Sequence, residues 1–369
     1  MSRGATLEGT TKYAGKFRGH AAEGHYREVQ GLVLSSLGVG TYLGQPNEST
    51  DAGYAAALVA AVESGINVID TAINYRLQRS ERSVGTALKV LAHKGFTRGE
   101  IVVCTKGGYL TPDGTMPDDP NRYFFEEYIQ KGVFTAKDIA AGCHCMKPAY
   151  LQNQLARSLK NLGLDCIDVY YLHNPETQLG ELARPDFLNR VREAFVFLES
   201  TAARGRIQFY GMATWNGFRQ AKSARDAMQL SELVAIAKEI AGDKHRFRFV
   251  QLPFNLAMTE ALTLGNQDVA GNEKTIMEAA SELGITLVGS ASLLQGQVAQ
   301  NLPAFVAEAF GLDSDAERAL QFARSAPGIT TALVGMSRTA HVEANAKLLT
   351  APPAGLEEFS KLFSRGETA

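Results

Sequence analysis

The stretch Val68–Leu88, VIDTAINYRLQRSERSVGTAL, decides how the rest of the chain is interpreted. It opens with a short apolar run that is typical of a buried strand. An acid, Asp70, ends this run, and a phenol, Tyr75, follows it. Ser80 and Glu81 then begin a helical pattern of apolar residues. A carboxylate and a phenol held at the end of a buried strand predict a catalytic arrangement that needs partners from elsewhere in the chain.

The composition is that of an ordinary globular protein. The chain has 369 residues, of which 45% are hydrophobic and 21% charged, and its formal net charge is −2. This charge gives no reason to expect nucleic-acid binding, and no apolar run reaches membrane-spanning length. Residues 1–30 lack the apolar core of a signal peptide, and the four cysteines do not make a disulfide framework in so long a chain. We therefore expect a cytoplasmic protein with neither membrane nor nucleic-acid partners.

Strand-like and helix-like stretches alternate along most of the chain. The predicted strands are 34–40, 67–71, 101–105, 166–172, 207–213, 248–252, 285–289 and 331–335. The predicted helices are 51–65, where Asp51 would be the cap, and 81–93, 148–162, 185–204, 218–240, 273–283, 315–326 and 339–348. About eight strand–helix units are expected of a closed parallel barrel, although an open doubly wound sheet alternates in the same way. We predict an α/β fold, a (β/α)8 TIM barrel.

The same patterns predict the domain organisation. Residues 1–25 have no apolar periodicity and are expected to form a partly ordered arm. Residues 26–369 are predicted as a single barrel domain, beginning with a hairpin at 26–42. Two long excursions, 107–147 and 255–271, interrupt the alternation. Loops that follow barrel strands lie at the active face, so these excursions are expected at the C-terminal face beside a substrate.

The C-terminal ends of the predicted strands bring together Asp70, Tyr75, Lys106 and His173. A nearby lysine ammonium would lower the pKa of a tyrosine, and a carboxylate would hold that lysine in place. A histidine beside the phenol could hydrogen-bond a substrate carbonyl. Each residue alone has an ordinary structural explanation, such as a turn at Asp70. Their joint occurrence predicts protonation of a carbonyl oxygen while another group delivers hydride to its carbon.

Six motifs in this order resemble the aldo-keto reductase family over roughly residues 31–348. They are DTAINY with SERSVGTAL, VVCTKGG, DVYYLHNPE, FYGMATWN, VQLPFN and GMSRTAHVEAN. The resemblance implies a (β/α)8 barrel that reduces an aldehyde or ketone with NADPH, with Tyr75 as the general acid and Asp70, Lys106 and His173 around it. A sugar or alcohol dehydrogenase using NAD(P), or a cofactor-binding regulatory barrel with little turnover, would share these residues. The substrate would be a small carbonyl compound or sugar, and the oligomeric state stays open.

The resemblance also places a nicotinamide cofactor. The residues expected to bind it are Gly40, Thr41, Asp70, Thr214, Gln251, Gly335, Ser337, Arg338, His341 and Asn345. Ser337 and Arg338 precede a helix N-terminus, where a phosphate is favoured. An arginine suits the 2′-phosphate of NADPH, which makes NADPH the expected cofactor with NADH as the alternative. No GxGxxG follows a predicted strand, which argues against a Rossmann site.

Several positions depart from the family pattern. Ala213 stands where the family commonly has serine, Ser290 where it has an aromatic residue that stacks on nicotinamide, and Ala344 where many members have an acid. A different cluster, 143–145, reads Cys-His-Cys. Its spacing does not match that of a zinc ligand set, so we expect no metal and interpret it as bordering the substrate pocket, as we do Trp215.

Overall fold

The eight predicted barrel strands are all present. The computed structural model describes residues 3–364. Its strands are β1 (Tyr26–Val29), β2 (Leu32–Ser35), β3 (Leu37–Gly40), β4 (Val68–Asp70), β5 (Val102–Gly107), β6 (Ile167–His173), β7 (Ile207–Ala213), β8 (Phe247–Pro253), β9 (Gln267–Val269), β10 (Asn272–Lys274), β11 (Thr286–Ser290) and β12 (Ile329–Gly335). Strands β3 to β8, β11 and β12 are parallel and close in the order β11-β12-β3-β4-β5-β6-β7-β8. The predicted closed barrel is confirmed, and the open sheet is excluded.

Helices pack around the outside of this barrel. They are α1 (Leu7–Lys16), α2 (Glu48–Glu63), α3 (Arg79–His93), α4 (Pro120–Phe124), α5 (Pro148–Leu162), α6 (Arg184–Ala203), α7 (Leu230–Ala241), α8 (Glu260–Thr263), α9 (Ile276–Leu283), α10 (Ala304–Phe310), α11 (Asp315–Ser325), α12 (Thr339–Ala346) and α13 (Leu356–Ser364). Among the described residues, no helix is both long and apolar enough to cross a membrane.

The barrel strands are buried on both faces, as their apolar sequences predict. In β6, Val169 and Tyr171 belong to the cluster that fills the barrel, whereas Tyr170 and Leu172 pack outward under the helices. This alternation follows from the two-residue period of a strand. Both faces therefore exclude water, and polar chemistry is confined to the strand ends.

The parallel register brings those ends to one rim. Gly40 pairs with Asp70 on one side and with Gly335 on the other. Ala213 pairs with both His173 and Gln251. Residues that are far apart in the sequence therefore become neighbours at the C-terminal face of the barrel.

The expectation of a partly ordered arm at 1–25 is wrong for its described residues, because residues 7–16 form helix α1. The Thr6 side chain caps this helix by accepting a hydrogen bond from the Gly9 amide at 3.0 Å. Tyr13 is fully buried, and its hydroxyl donates to the Val62 carbonyl oxygen at 2.6 Å. The buried positions of α1 are only Thr10 and Tyr13, which explains the missing apolar periodicity. Residues 1 and 2, and residues 365–369 of the predicted domain, lie outside the described residues.

The predicted N-terminal hairpin is confirmed by the antiparallel pairing of β1 with β2. Leu32 and Leu34 of β2 pack against Val68 and Val102 in the cluster that fills the barrel. The hairpin therefore belongs to the core, at the ends of the strands opposite the predicted site.

Several helix boundaries differ from the prediction. Asp51 does not cap α2, because the helix begins at Glu48 and the Asn47 side chain accepts a hydrogen bond from the Thr50 amide at 2.9 Å. The helix predicted over 218–240 covers only α7. Residues 218–229 form turns instead, because the Asn266 amide holds the carbonyl oxygen of Phe218 at 2.8 Å.

The helix predicted over 273–283 begins later, at α9, with the Thr275 side chain as its cap. Strand β10, which precedes α9, pairs with β9 in a second hairpin. This hairpin spans the end of the 255–271 excursion and the residues that follow it. The other excursion, 107–147, carries a small core of its own, formed by Tyr128, Phe134, Cys145 and Tyr150. Both excursions therefore hold ordered structure.

Candidate active site

The side chain of Lys106 lies at the centre of the predicted catalytic group. Its Nζ atom donates hydrogen bonds to Asp70 Oδ2 at 2.5 Å, to the Thr71 carbonyl oxygen at 2.9 Å and to Tyr75 Oη at 3.2 Å. These three bonds use all three N–H groups of the ammonium. Lys106 is fully buried, because strand β5 carries it into the barrel mouth beside β4. The structure thus brings Asp70, Tyr75 and Lys106 into contact.

Opposing effects set the ionisation of this group. Burial raises the pKa of Tyr75 above its ordinary value, and the Lys106 ammonium opposes that shift. Burial also raises the pKa of Asp70, again against the effect of Lys106. Burial alone would lower the pKa of Lys106, but Asp70 and Tyr75 outweigh it and raise this pKa. The expected net lowering of the Tyr75 pKa is therefore wrong, because burial is the larger effect.

His173 stands beside Tyr75, with the two ring centroids 5.7 Å apart. Its Nδ1 atom lies 3.1 Å from Asn74 Oδ1, and its carbonyl oxygen lies 2.7 Å from His144 Nε2. Burial lowers the pKa of His173 well below its ordinary value, and the Lys106 ammonium lowers it further. The imidazole is therefore neutral at physiological pH.

A left-handed turn connects Tyr75 to helix α3. Arg76, Leu77 and Gln78 have φ angles of 47°, 58° and 71°. Each such conformation costs a non-glycine residue about 1–3 kcal/mol unless its surroundings hold it. The guanidinium of the buried Arg76 holds the turn by donating to Asp51 Oδ1 at 2.6 Å. Asp51, predicted as a helix cap, thus anchors the segment that carries Tyr75.

A cavity of about 820 Å³ opens onto this group. The predicted residues that line it are Gly40, Thr41, Asp70, Tyr75, His173, Thr214, Gln251, Gly335, His341 and Asn345. Further lining residues are Tyr42, Asn74, Tyr109, Asn174, Trp215 and residues 290–296. Lys106 is covered by Tyr75, with Nζ 4.7 Å from the centre of that ring. Apart from Lys106 and two residues of the predicted cofactor site, the predicted catalytic and cofactor residues therefore share one cavity.

The two cofactor residues that do not line the cavity are Ser337 and Arg338. Arg338 is exposed at the start of helix α12, and Ser337 is partly buried. The Ser337 carbonyl oxygen lies only 2.7 Å from where a Cβ on Gly53 would be. Glycine at position 53 therefore allows this loop to approach helix α2.

The residues present fit a polar ligand such as a nicotinamide cofactor. Thr214 and Ser292 both line the cavity, and their buried hydroxyl oxygens have no hydrogen-bond partner among the described residues. A buried hydroxyl without a partner is costly, so a ligand that bonds to it is favoured. The Gln251 amide nitrogen donates to Asp70 Oδ1 at 2.8 Å, which leaves its carbonyl oxygen available to a carboxamide.

The departures from the family pattern all lie on the cavity wall. Ala213, Ser290 and Ala344 line it, and none of them supplies an aromatic ring or an acid. The aromatic side chains that do line it are Tyr42, Tyr75, Tyr109 and Trp215. Trp215 thus borders the pocket, as its position after a strand predicts.

The cluster at 143–145 is organised around a buried histidine. Both ring nitrogens of His144 are engaged, Nε2 with the His173 carbonyl oxygen and Nδ1 with Gln178 Nε2 at 2.9 Å. Among the described residues, no group of three or more histidine, cysteine, aspartate or glutamate side chains is arranged to hold a metal ion. The hydrogen bonds of His144 thus account for both of its ring nitrogens.

Sequence reasoning missed Asn74 and His144 as neighbours of His173. Asn74 lies within the DTAINY motif, one residue before Tyr75, so its position near the site could have been predicted from the sequence. The sequence predicted that residues 143–145 border the substrate pocket, but they do not line the cavity themselves. The contact of His144 with His173 gave no signal in the sequence, because it spans 29 residues and depends on how the 107–147 excursion folds. The Tyr109 ring packs edge-on against both histidines, with centroids 5.1 Å away in each case.

The fold and site together define a parallel β/α barrel with an Asp–Tyr–Lys–His group at the C-terminal ends of its strands. The family model of the aldo/keto reductase family matches residues 36–362. The chain belongs to this family.

Individual relatives are more distant. The chain is 30% identical over 179 residues to a D-threo-aldose 1-dehydrogenase of Pseudomonas sp, covering 47% of each chain. It is 27% identical to an NADH-specific methylglyoxal reductase of Escherichia coli (strain K12), covering 55% of this chain and 54% of the relative. These matches thus span about half the length of the curated relatives.

A solved structure extends the likeness in fold to nearly the whole chain. An aldo/keto reductase from Klebsiella pneumoniae, in complex with NADP and acetate, superposes with a TM-score of 0.61. The alignment covers 93% of this chain and 96% of that one, at 18% sequence identity. At this identity the likeness shows the fold alone.

Proposed function

We propose that the chain is an oxidoreductase that reduces an aldehyde or ketone to an alcohol with a nicotinamide dinucleotide. Tyr75 is the general acid in this proposal. The observation that carries it is the position of Lys106 Nζ, which contacts Asp70 Oδ2 and Tyr75 Oη together beneath the cavity. Membership of the aldo/keto reductase family supports the same reaction class.

Tyr75 has the protonation and hydrogen bonding that an acid requires. Burial raises its pKa, so the phenol holds its proton at neutral pH. Its oxygen accepts from Lys106, which leaves its own O–H free to donate to a carbonyl oxygen in the cavity. When that proton leaves, the Lys106 ammonium stabilises the phenolate, and Asp70 keeps the ammonium in place.

A nicotinamide cofactor, when bound, supplies the hydride. Gln251 and Thr214 are proposed to bind its carboxamide, since both present free hydrogen-bonding atoms on the cavity wall. Gly40 and Thr41 would lie against the nicotinamide end, and His341 and Asn345 against the other end.

NADPH is the proposed cofactor, with NADH as the alternative. Arg338 and Ser337 stand just before α12, beyond the cavity end that Gly335 lines. An exposed guanidinium there suits a 2′-phosphate. A relative named as NADH-specific supports the alternative. Replacing Arg338 with alanine should weaken NADPH binding, measured by protein fluorescence, and leave NADH binding unchanged.

The decisive experiment compares Tyr75→Phe with the unaltered protein. Oxidation of NADPH and NADH is followed against a panel of aldehydes, ketones and sugars, and cofactor binding is measured separately. Loss of general acid catalysis should lower turnover by about 10²–10⁴-fold without changing cofactor affinity. Tyr123→Phe is the matched control, because Tyr123 does not line this cavity. Turnover largely retained in Tyr75→Phe would refute the proposal, and cofactor binding without any turnover would favour a regulatory barrel.

A further inference from the structure

The buried side chain of Glu176 holds the loop that follows β7. Its Oε1 atom accepts hydrogen bonds from three successive backbone amides, those of Trp215 at 2.6 Å, Asn216 at 3.0 Å and Gly217 at 3.4 Å. A backbone N–H group can only donate, so the direction of all three bonds is settled. Among the described residues, no backbone carbonyl oxygen accepts from these amides. One carboxylate oxygen therefore satisfies three amides that lack the usual backbone partner.

Glu176 reaches this loop from the neighbouring strand. It lies in the short turn Pro175–Gly180 that follows β6, and β6 pairs with β7 up to His173 and Ala213. The Asn174 amide donates to the Ala213 carbonyl oxygen at 2.6 Å, and Glu176 continues this contact two residues later. Glu176 is buried. The loop after β6 therefore supplies a polar anchor, inside the protein, for the loop after β7.

The loop that Glu176 anchors carries Trp215 at the mouth of the cavity. Trp215 lines the cavity but is 43% exposed, so little of the core holds its ring. On the exposed side, the Arg219 guanidinium donates to the Trp215 carbonyl oxygen at 3.2 Å. Thr214, one residue earlier, is fixed separately, because its amide donates to the Gln251 carbonyl oxygen at 2.8 Å. Glu176 is thus the buried anchor of Trp215, whereas Thr214 has an anchor of its own.

The chemistry of this anchor suits a carboxylate. Three successive N–H groups that point at one atom form a concave site that attracts negative charge, and hydrogen bonds to an ionised oxygen are stronger than those to a neutral one. Burial raises the pKa of Glu176, and the three amides oppose that shift. Its other oxygen, Oε2, is buried and has no hydrogen-bond partner among the described residues. The carboxyl group thus acts on the loop through Oε1.

We propose that Glu176 is a positioning residue, which fixes Trp215 at the mouth of the cavity and thereby strengthens substrate binding. It acts through the loop and does not touch the reacting atoms. This inference rests on the proposed carbonyl reduction, in which the substrate lies in the cavity beside Tyr75. A tryptophan that the protein already holds in place need not be ordered by the substrate, which removes part of the entropic cost of binding. The effect should therefore fall on KM, whereas kcat depends on Tyr75 and Lys106.

The first test follows Trp215 directly, because it is the single tryptophan of the chain. In Glu176→Leu the three amides lose their acceptor, while Thr214 and Arg219 still hold the loop. We expect the tryptophan fluorescence of this variant to show lower anisotropy and stronger quenching by acrylamide, with unchanged circular dichroism. Glu176→Gln keeps an acceptor oxygen and should resemble the unaltered protein, as should Glu193→Leu, at an exposed position of α6. An equal loss of anisotropy in Glu176→Gln and Glu176→Leu, or no loss in either, would overturn the inference.

The second test needs no variant, so it decides even if Glu176→Leu does not fold. Hydrogen–deuterium exchange of the unaltered protein is followed by ¹H–¹⁵N NMR. The amides of Trp215 and Asn216 should exchange about ten- to a hundredfold more slowly than that of Ser223, since a hydrogen bond to a charged group stabilises an amide by about that ratio. Ser223 is the internal control, because it lies in an exposed turn and its amide has no backbone acceptor among the described residues. Equal exchange rates at all three amides would overturn the inference.

The third test separates substrate binding from chemistry. KM and kcat of Glu176→Leu are measured with the carbonyl compound that the unaltered protein reduces fastest, and the affinity for NADPH is measured by calorimetry. We expect KM to rise about two- to tenfold, which reflects the ordering of one side chain on binding, with kcat and the NADPH affinity unchanged. Unchanged KM in a folded variant, or a fall in kcat alone, would overturn the inference and leave the proposed function standing. No turnover of any carbonyl by the unaltered protein would refute the proposed function, and the first two tests would then decide whether Glu176 positions Trp215.

Discussion

The Nε2 atom of His144 lies 2.7 Å from the backbone carbonyl oxygen of His173. A carbonyl oxygen only accepts, so Nε2 carries the proton, and Gln178 Nε2 donates to the other ring nitrogen at 2.9 Å. His144 is fully buried. This contact joins the end of the 107–147 excursion to the end of β6. The loop that borders the cavity therefore also fixes the backbone that carries His173.

Replacing His144 with leucine should impair turnover more than binding. The His173 carbonyl oxygen would lose its hydrogen-bond donor. The backbone that places the His173 side chain beside Tyr75 would then be held less firmly. We expect kcat to fall by about tenfold or more with a small change in KM, and the free energy of unfolding to fall by about 1–3 kcal/mol. Steady-state kinetics and urea denaturation measure the two effects. His20→Leu, at an exposed histidine, is the control. Reduced stability with unchanged kcat would assign His144 a structural role only.

Four buried histidines should make the protein sensitive to mild acid. Burial lowers the pKa of His25, of His144 and of His245 to about 4, and that of His173 well below its ordinary value. An unfolded chain has histidines near 6.5, so between pH 6.5 and pH 4 it binds more protons than the folded chain. Stability is therefore fully present above pH 6.5 and is lost as the pH falls toward 4.

The loss should be on the order of 3 kcal/mol for each histidine by pH 4. Urea denaturation at a series of pH values measures it. In the double variant His25→Gln and His144→Gln, these two side chains no longer titrate, whereas His173 and His245 still do, so the slope of stability against pH should become about half as steep in this window. A slope that stays the same would show that other groups cause the acid sensitivity.

Removing the Lys106 ammonium should damage both stability and activity. In Lys106→Met, the Gln251 amide is the one side-chain partner that the buried Asp70 carboxylate keeps among residues 3–364. Breaking a buried ion pair in this way costs about 3–5 kcal/mol. Adding Asp70→Asn removes the unpaired charge, and the double variant should recover part of the stability without recovering turnover. Lys89→Met, at an exposed lysine, should change neither. A double variant less stable than Lys106→Met would contradict this account.

A part of the fold or of the site could be predicted from the sequence where residues close together in the chain determine it. The barrel strands and the meeting of Asp70, Tyr75, Lys106 and His173 follow from apolar runs and from the polar residues that end them. Helix α1 could not be predicted, because its few buried side chains, Thr10 and Tyr13, do not form an apolar face. The irregular segment 218–229 has helix-forming residues, but hydrogen bonds from Asn266 hold it in turns.

The electrostatics of the site were the least predictable. The sequence indicates that Lys106 lowers the pKa of Tyr75, and the Lys106 ammonium does act in that direction. Burial of Tyr75 has the larger effect, so the net shift of its pKa is upward, and the sequence does not show how deeply the ring is buried. The role of Asp51 in anchoring the segment that carries Tyr75 could not be predicted either. Its partner Arg76 is 25 residues away in the chain and reaches it through a left-handed turn that the sequence does not suggest.

Gly211 should be among the least replaceable glycines of the barrel. It lies in β7 where the pairing with β8 shifts register, between Tyr210 and Gly211. A Cβ atom at this position would lie 2.0 Å from the Phe249 carbonyl oxygen, which is backbone and cannot rotate away. In Gly211→Ala, β7 must therefore move away from β8. This displacement would lie two residues before Ala213, which lines the cavity.

We expect Gly211→Ala to lower the free energy of unfolding by several kcal/mol, more than the roughly 1–3 kcal/mol of ordinary overpacking, because no side chain can repack to make room. Thermal unfolding and the yield of folded protein measure this. Gly15→Ala in helix α1 is the matched control, since nothing lies within 4 Å of its added Cβ. Alanine there should be neutral or stabilise by about 0.5–1 kcal/mol. If Gly211→Ala were as stable as Gly15→Ala, the β7–β8 spacing at this register shift would have to be wider than the structure shows.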